Sequence, residues 1–526
     1  MRLFTPYQTR EPDRTQEIDV MEADVFNLSI DPDAPEQLQT QIYAQLRELI
    51  LSGELLPGVR LPPSRKLAEL VGVSRKTVVN AYDQLLAEGY LSSQTGSGTF
   101  VTDRDRASRA STHIEQSRKR IDDRRSRDTR NRAVDAKERD ILSTFGRRLS
   151  LTETQSPRLE HVRFPFFNWQ PAFDELPLTD WSRIVSKTFR KPDSRLLDYA
   201  SDPLGHMPLR AAIAERLLRT RGLSCQPEQV VINCGLAQSL DLMAKLHAEA
   251  GMELLVENPS YRPIRDVFRT YGAQIRSIDV DQGGMKTERL AKLSRHNVKA
   301  VYVTPSHQFP TGAVLSLARR LELIKWATEC GALIIEDDFD SEFRYKGTPI
   351  PAMKTLDKEE QVLYLSSFTK ILYPSLAIAF MVLPPKLISV YTKARWLAAD
   401  NISIQVQDAL AGFISTGLLE RHVRRMRTTY AHRRKALLEA IQDHLSECAT
   451  TYGDHAGLST LIRIKCDLED DEILERALAR GIALTSTRSS YTRNAARGEF
   501  ILGYGNMSES QIRQGIIELR MIVRGK

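Results

Sequence analysis

Six short apolar runs in the second part of the chain limit its possible folds more tightly than any other feature. They are VVIN (230–233), ELLVE (253–257), AVYVTP (300–305), ALIIED (332–337), VLYLSS (362–367) and AIAFMVL (377–383). Each is apolar at consecutive rather than alternating positions, the pattern of a strand buried on both faces. Amphipathic stretches such as LARRLELIKWATECG lie between several of them. Buried strands separated by helices predict an α/β domain with a mostly parallel sheet covered on both sides. Further on, the strand-like runs STLIRI and EFILGY and the helical stretches DEILERALARG and ESQIRQGIIELRMIV predict a smaller C-terminal α/β subdomain.

A chain of 526 residues exceeds what one hydrophobic core organises, so at least two domains are expected. Composition divides it into an N-terminal tail (1–34), a dense helical region (35–102), a charged linker (103–160) and the strand-bearing region (161–526). Of the formal net charge of +7, +6 falls between 101 and 150, where 13 Arg and 2 Lys face 9 acidic residues. Such a run reads as a solvated linker, able to hold helical pieces, more often than as a nucleic-acid arm. The five cysteines are scattered without a CxxC pair, which points to reduced thiols in a cytoplasm, with neither disulfides nor a metal site. No leader-like apolar segment opens the chain and no long apolar run interrupts it, so neither export nor membrane insertion is expected.

In the dense region PEQLQTQIYAQLRELILSG is an amphipathic helix closed by Gly53. PPSRKLAELVGVSRKTVVNAYDQLLAEGYL then predicts two more helices. Ser64 is the expected N-cap of the first, with Leu67, Leu70 and Val71 on its buried face. Gly72 makes the turn, Ser74 caps the second helix, and Val78, Val79, Tyr82, Leu85 and Leu86 are spaced to face a core. Gly89 ends that helix, and YLSSQTGSGTFV follows as a hairpin with a glycine-rich tip. Helix, turn, helix and hairpin make a winged helix-turn-helix, whose second helix presents its first residues to the major groove.

The region is nearly neutral, which also suits a protein-interaction module. Its cations are sorted, however: Arg65, Lys66, Arg75 and Lys76 gather around the turn, beside Ser74, Thr77 and Asn80, where they can position phosphates and read base edges. The stretch PGVRLPPSRKLAELVGVSRKTVVNAYDQLLAEGYLSSQTGSGTFV resembles the GntR-type winged-helix domain. That resemblance implies double-stranded operator DNA as partner, with contacts from Arg65, Arg75, Lys76, Thr77 and Asn80. It places the Gly96–Gly98 tip near the minor groove as the wing.

One lysine, Lys370, stands among hydroxyl-bearing and apolar residues in LYLSSFTKILYPSLAIAFMVLP (363–384). A buried lysine is costly unless it is paired or chemically used. One use is a Schiff base with a carbonyl cofactor such as pyridoxal 5'-phosphate (PLP). Such a site also needs a carboxylate for the pyridine nitrogen, an aromatic over the ring and donors for the phosphate. Strand ends of a parallel sheet bring these groups together from separate segments. Asp337 ends a buried run in LIIEDDFDSEFRY, and Tyr261 in ENPSYRP offers the stacking ring. Gly235, Leu236 and Ala237 in NCGLAQSLDL offer backbone N–H groups to a phosphate, with Ser367 as a second donor. His307 and Gln308 in TPSHQFPTG stand near the expected ring oxygen. Taken singly each has a plainer structural role; their order along a plausible sheet carries the reading.

From LDYASDPLGHMPLRAAIAERLLRTRGL onward that order resembles fold-type I aminotransferases. With the N-terminal module, the chain resembles the MocR/GabR subfamily of GntR regulators, to whose signatures TPSHQFPTG and EDDFDSEFRY are close. The resemblance implies Lys370 as the Schiff-base lysine, Asp337 as the pyridine partner, and a dimeric, cytoplasmic, nucleoid-associated regulator. The subfamily pattern S-K-x-L-x-P-x-L-R-x-G-Y is broken here, with Ala377, Ala379 and Phe380 at the arginine, glycine and tyrosine positions. Phe339 replaces a tyrosine two residues after Asp337. Loss of one charged phosphate contact costs ~1.5–3 kcal/mol, roughly ten- to a hundredfold in affinity. Arg497 is the expected partner of a substrate carboxylate, with Arg493 and Arg488 competing. The leading expectation is a regulator that senses PLP or an amino compound through Lys370. The alternatives are an active aminotransferase with an accessory DNA-binding domain and a cofactor-free dimerisation scaffold.

Overall fold

The computed structural model describes residues 28–94, 97–102, 141–152, 162–167, 170–190, 194, 197–198, 202–293, 297–345, 350–398, 402–453 and 455–524. The chain divides into two compact units, Met1–Ala133 and Val134–Lys526.

The first unit contains α1 (Leu38–Ser52), α2 (Ser64–Val71), α3 (Arg75–Ala87) and the hairpin β1 (Leu91–Gln94) and β2 (Gly98–Val101). Ile42, Leu46, Leu67, Val78, Ala81, Tyr82 and Leu85 form its core, closed by Leu91 and Val101 of the hairpin. Gly53 and Gly72 end the first two helices in the left-handed conformation, where a side chain is strained. Ser74 caps α3 by accepting the Thr77 N–H at 3.1 Å. Three details differ from the sequence expectation. Ser64 is the first helical residue and Pro63 the cap, because Pro63 supplies extended backbone just before the turn. Leu70 points to solvent, and Ala81 rather than Val79 completes the core stripe of α3. Leu28 and Ile30, assigned to the tail by composition, pack on this core, and Ser29 and Asp31 exchange hydrogen bonds with Gln45 and Gln41.

Of the charged linker, residues 103–140 and 153–160 lie outside the described residues. The described piece includes the short helix α4 (Thr144–Leu149), whose Phe145 ring lies 4.7 Å from that of Tyr271 in the second unit. That unit continues through α5 (Leu178–Arg190) and α6 (Met207–Arg221) into an eight-stranded sheet. The sheet's strands are β3 (Val230–Cys234), β4 (Glu253–Asn258), β5 (Gln274–Asp281), β6 (Gly284–Met285), β7 (Val298–Val303), β8 (Leu333–Asp337), β9 (Val362–Ser367) and β10 (Ile378–Val382). Across the sheet they run β3-β10-β9-β8-β7-β4-β5-β6. Neighbours from β9 to β5 are parallel, whereas β10 is antiparallel to both β9 and β3. Only residues 368–377 join β9 to β10, too few for the crossover that a parallel pair requires. Lys370 lies in that connection.

Both faces of the sheet are covered. Leu254, Val256, Tyr302, Ile335 and Leu365 pack on the side of α7 (Gly235–His247) and α8 (Arg262–Thr270). Leu255, Val301, Val303 and Ile334 pack on the side of α9 (Leu317–Cys330). After α10 (Ile388–Ala398) and α11 (Ile404–Ser415), the long α12 (Leu418–Leu445) leads into a four-stranded sheet. That sheet orders β11 (Ala449–Tyr452), β12 (Ser459–Ile464), β14 (Glu499–Gly503) and β13 (Thr485–Ser486), with α13 (Asp470–Ala479) and α14 (Glu509–Val523) beside it. Among the described residues no helix is long and apolar enough to cross a membrane.

Candidate functional site

Strand ends converge on a cavity of about 170 Å³ at the carboxyl edge of the large sheet. Lys370 reaches it from the β9–β10 connection, Asp337 from the last position of β8, and Tyr261 from the segment between β4 and α8. Leu236, in the first turn of α7, closes one end, while Leu458 and Ser459 close it from the C-terminal subdomain. Tyr302 of β7 and Phe309 just beyond it complete the wall near Asp337.

The electrostatics follow from this burial. The Lys370 amine is pushed down to about 8 by loss of solvent, against an opposing pull from Asp340. The same burial pushes the Asp337 carboxyl up to about 7 although Tyr302 donates to its Oδ2 at 2.6 Å; Asp338, Asp340 and Glu257 push it in the same direction. Glu257, just behind, is likewise raised to about 7 by burial, against hydrogen bonds from Thr304 and Gln308. Tyr261 is raised to about 12 by burial and by Asp337, and its ring meets Phe309 edge-on at 5.8 Å. An amine that readily becomes neutral beside a carboxyl that can take either charge state suits reversible carbonyl chemistry.

At the other end α7 starts directly from β3. Gly235 has φ +71°, which lets the chain turn from strand to helix without a side-chain clash. The first N–H groups of a helix have no partner within it, so Leu236 and Ala237 present donors there. The Cys234 N–H is satisfied by Gln238 Oε1 at 2.6 Å. Ile378 pairs with Cys234, so Ala377 and Gly235 each lie one residue beyond the paired ends of neighbouring strands. Ala377 is itself left-handed, with φ +50°. Ser367 is turned to a different task from the one its position suggests: its hydroxyl donates to Thr369 Oγ1 at 3.0 Å and accepts the Thr369 N–H at 3.1 Å. It shapes the turn that carries Lys370.

Neither His307 nor Gln308 lines the cavity. The Gln308 amide donates to Pro259 O at 2.8 Å and to Phe309 O at 2.6 Å, and accepts from Thr311 Oγ1 at 2.6 Å, which holds its own loop together. His307 Nδ1 lies 2.8 Å from Asp340 Oδ2, and its ring stacks on Phe339 at 6.1 Å. Burial disfavours the imidazolium, but Asp340 holds its pKa above the ordinary value. Gly457 seals this pair: a Cβ there would lie 2.3 Å from Asp340 Oδ2.

Behind Asp337 the next residue is clamped. Arg221 Nε lies 2.8 Å from Asp338 Oδ2 and Nη2 donates to Ser306 Oγ at 2.8 Å, while Tyr364 also donates to Asp338. Burial works against the guanidinium charge, yet Asp338 keeps its pKa above normal. Neither Arg221 nor Asp338 was singled out in the sequence, where 117 residues separate them and nothing marks them as partners.

The arginines put forward for a substrate carboxylate are engaged elsewhere. Arg497 is exposed, paired with Glu469 at 3.1 Å and donating to the carbonyls of Asp467 and Leu468. Arg493 pairs with Asp279 and Arg488 with Asp471. The segment preceding β14 therefore turns Arg497 toward the loop before α13 and away from the cavity.

In the first unit, Arg65, Lys66, Arg75, Lys76 and Asn80 are exposed around the α2–α3 turn. Arg65 lies 3.5 Å from Glu69, Arg75 Nε is 3.5 Å from Ser64 Oγ, and Asn80 donates to Gln39 at 3.1 Å. Thr77 Oγ1 lies 2.8 Å from Ser74 Oγ at the helix start. Gly96 lies outside the described residues. Gly98 has φ +124°, and its open Cβ position is filled by Arg60, whose Nε would lie at 2.7 Å. Arg60 thus joins the wing, a cation the sequence reading left out; its bridge to Phe100 brings it there.

Residues 38–101 match the bacterial regulatory proteins of the gntR family, and residues 182–516 match aminotransferase class I and II. The chain is 34% identical to the probable rhizopine catabolism regulatory protein MocR of Rhizobium meliloti, over 94% of this chain and 95% of the relative. It is 29% identical to the HTH-type pyridoxine biosynthesis transcriptional regulator PdxR of Corynebacterium glutamicum, over 94% and 97%. A solved kynurenine aminotransferase from Pyrococcus horikoshii shares the fold at a TM-score of 0.67 and 26% identity, covering 74% of this chain and 98% of that one. A gntR-type DNA-binding module followed by an aminotransferase fold defines a transcriptional regulator built on an enzyme scaffold. The chain belongs to the MocR/GabR subfamily of gntR-type transcriptional regulators.

Proposed function

We propose that the chain is a homodimeric transcription factor whose aminotransferase-like unit senses PLP, or an amino compound acting on it, through Lys370. The observation that carries this reading is the Lys370 amine, lowered to about 8 and facing Asp337 across one cavity. When bound, PLP supplies an electrophilic carbonyl carbon and an electron-withdrawing ring. The donor set fits it. Lys370 would hold the carbonyl end, Asp337 the pyridine nitrogen, Tyr261 the ring face, and the first N–H groups of α7 at Gly235, Leu236 and Ala237 the phosphate. Asp337, buried and near neutral charge balance on its own, gains a reason to ionise when a protonated nitrogen faces it. In the DNA-binding unit, Arg65, Lys66, Ser74, Arg75, Lys76, Thr77 and Asn80 are the proposed operator contacts, with Gly98 and the adjoining Gly96 in the wing.

The test is an absorption titration of the purified full chain with PLP. A visible band should appear, and no band at millimolar PLP would sink the cofactor reading. The sign of its pH dependence follows from the lysine. Only the neutral amine attacks a carbonyl, so the rate of band formation should rise about tenfold per pH unit below about 8 and level off above it. A plateau reached only near pH 10 or higher would contradict a lysine so desolvated. The missing clamp gives a second expectation. Because Ala377 and Gly235 each lie one residue beyond the paired ends of neighbouring strands, Ala377→Arg should tighten PLP by roughly ten- to a hundredfold in an equilibrium titration. Unchanged affinity would mean that the phosphate lies elsewhere.

A further inference from the structure

We infer that the small molecule recognised at this site is a primary amine on an apolar skeleton, lacking a carboxylate, rather than an amino acid. The inference rests on the cofactor reading above and narrows it to a ligand class. The wall is apolar at Leu236, Phe309, Phe339 and Leu458, and its hydroxyls are those of Ser459, Tyr261 and Tyr302, the last donating to Asp337. Among the described residues, the charged side chains lining the cavity are two acids, Asp337 and Asp340, and one lysine. No arginine is among the described lining residues. Arg497, Arg493 and Arg488 are held by Glu469, Asp279 and Asp471, and Arg262, next to Tyr261, lies 2.8 Å from Asp266.

A ligand carboxylate entering here would lose its water beside the like charge of Asp340, with Asp337 engaged by the pyridine nitrogen and the lining lysine committed to the carbonyl end. His307 offsets part of the Asp340 charge, but from behind the wall. An ammonium group meets the opposite balance: Asp340 faces the cavity with only its Oδ2 joined to His307. The apolar walls then match an alkyl or aryl chain better than a second charged group.

Paired probes that differ by one carboxylate test the idea. The full chain is loaded with PLP and titrated with 2-phenylethylamine against L-phenylalanine, and with butylamine against 4-aminobutyrate. The absorption band and the melting temperature are followed. Each amine should perturb both readouts at a concentration at least about tenfold below that of its amino acid. Asp340→Asn, which keeps the shape and removes the charge, should narrow that gap. Amino acids acting at equal or lower concentration would overturn the proposal, as would a gap untouched by Asp340→Asn or a band indifferent to every probe. If no band forms before any amine is added, the cofactor reading itself fails and takes this inference with it. That outcome is distinct, because it is seen with PLP alone.

Discussion

Lys370→Ala should leave operator binding intact and remove every response to PLP or to an amine. The lysine lies in the second compact unit, and the helices that carry the proposed operator contacts lie in the first. The substitution leaves the core and the proposed contacts of the DNA-binding unit unaltered, so DNA affinity should stay within about twofold. The visible band, by contrast, should be absent at PLP concentrations that saturate the native chain. A ligand shifts a regulator only as far as it binds two of its states unequally. If the lysine supplies that difference, mobility-shift titrations of Lys370→Ala should superimpose with and without ligand. Retained ligand response would move the sensing site away from the lysine. An unaltered native chain that ignores PLP and amines would favour a scaffold role, and sustained amino-group transfer by the native chain would favour an enzyme.

Much of this was readable from local pattern. The six apolar runs became β3, β4, β7, β8, β9 and β10, because a strand buried on both faces must be apolar at every position. The strand β5 escaped notice because it is only half buried near the sheet's edge, and QIRSIDVD lacks a continuous apolar run. The reversal of β10 was also hidden: direction is set by the length of the connection, and the apolar pattern of a strand is the same either way. At the site, Lys370, Asp337, Tyr261 and Leu236 could be chosen from their places at strand ends. His307 and Gln308 could not be oriented that way. In a loop, which residue faces the cavity depends on the loop's own hydrogen bonds, and here these turn Gln308 inward and leave Phe309 on the wall. The direction of Arg497 was hidden for a related reason, since a long, exposed side chain is drawn to a nearby acid, here Glu469.

The pair that no pattern revealed should carry the largest stability effect. Arg221 and Asp338 have side chains only 4% and 2% exposed, so their attraction is little screened. Removing one partner strands a buried charge, which costs ~3–5 kcal/mol. Arg221→Met should therefore lower the thermal and urea midpoints of the second unit markedly, while the melting of the DNA-binding unit stays unchanged. Ser306 and the Ile350 carbonyl also lose a donor, which adds to the cost. The double variant Arg221→Met with Asp338→Leu leaves no lone charge, and apolar replacements of buried pairs are often near neutral. It should recover part of the loss, although Tyr364 then lacks its acceptor. A single variant costing less than about 1 kcal/mol would show that water reaches Asp338. The effect should extend to the site, because Asp338 adjoins Asp337 and its backbone N–H bonds to Leu365 O beside it. A weakened PLP titration in Arg221→Met at a temperature where the protein remains folded would locate that coupling. Unchanged affinity would confine the clamp's role to stability.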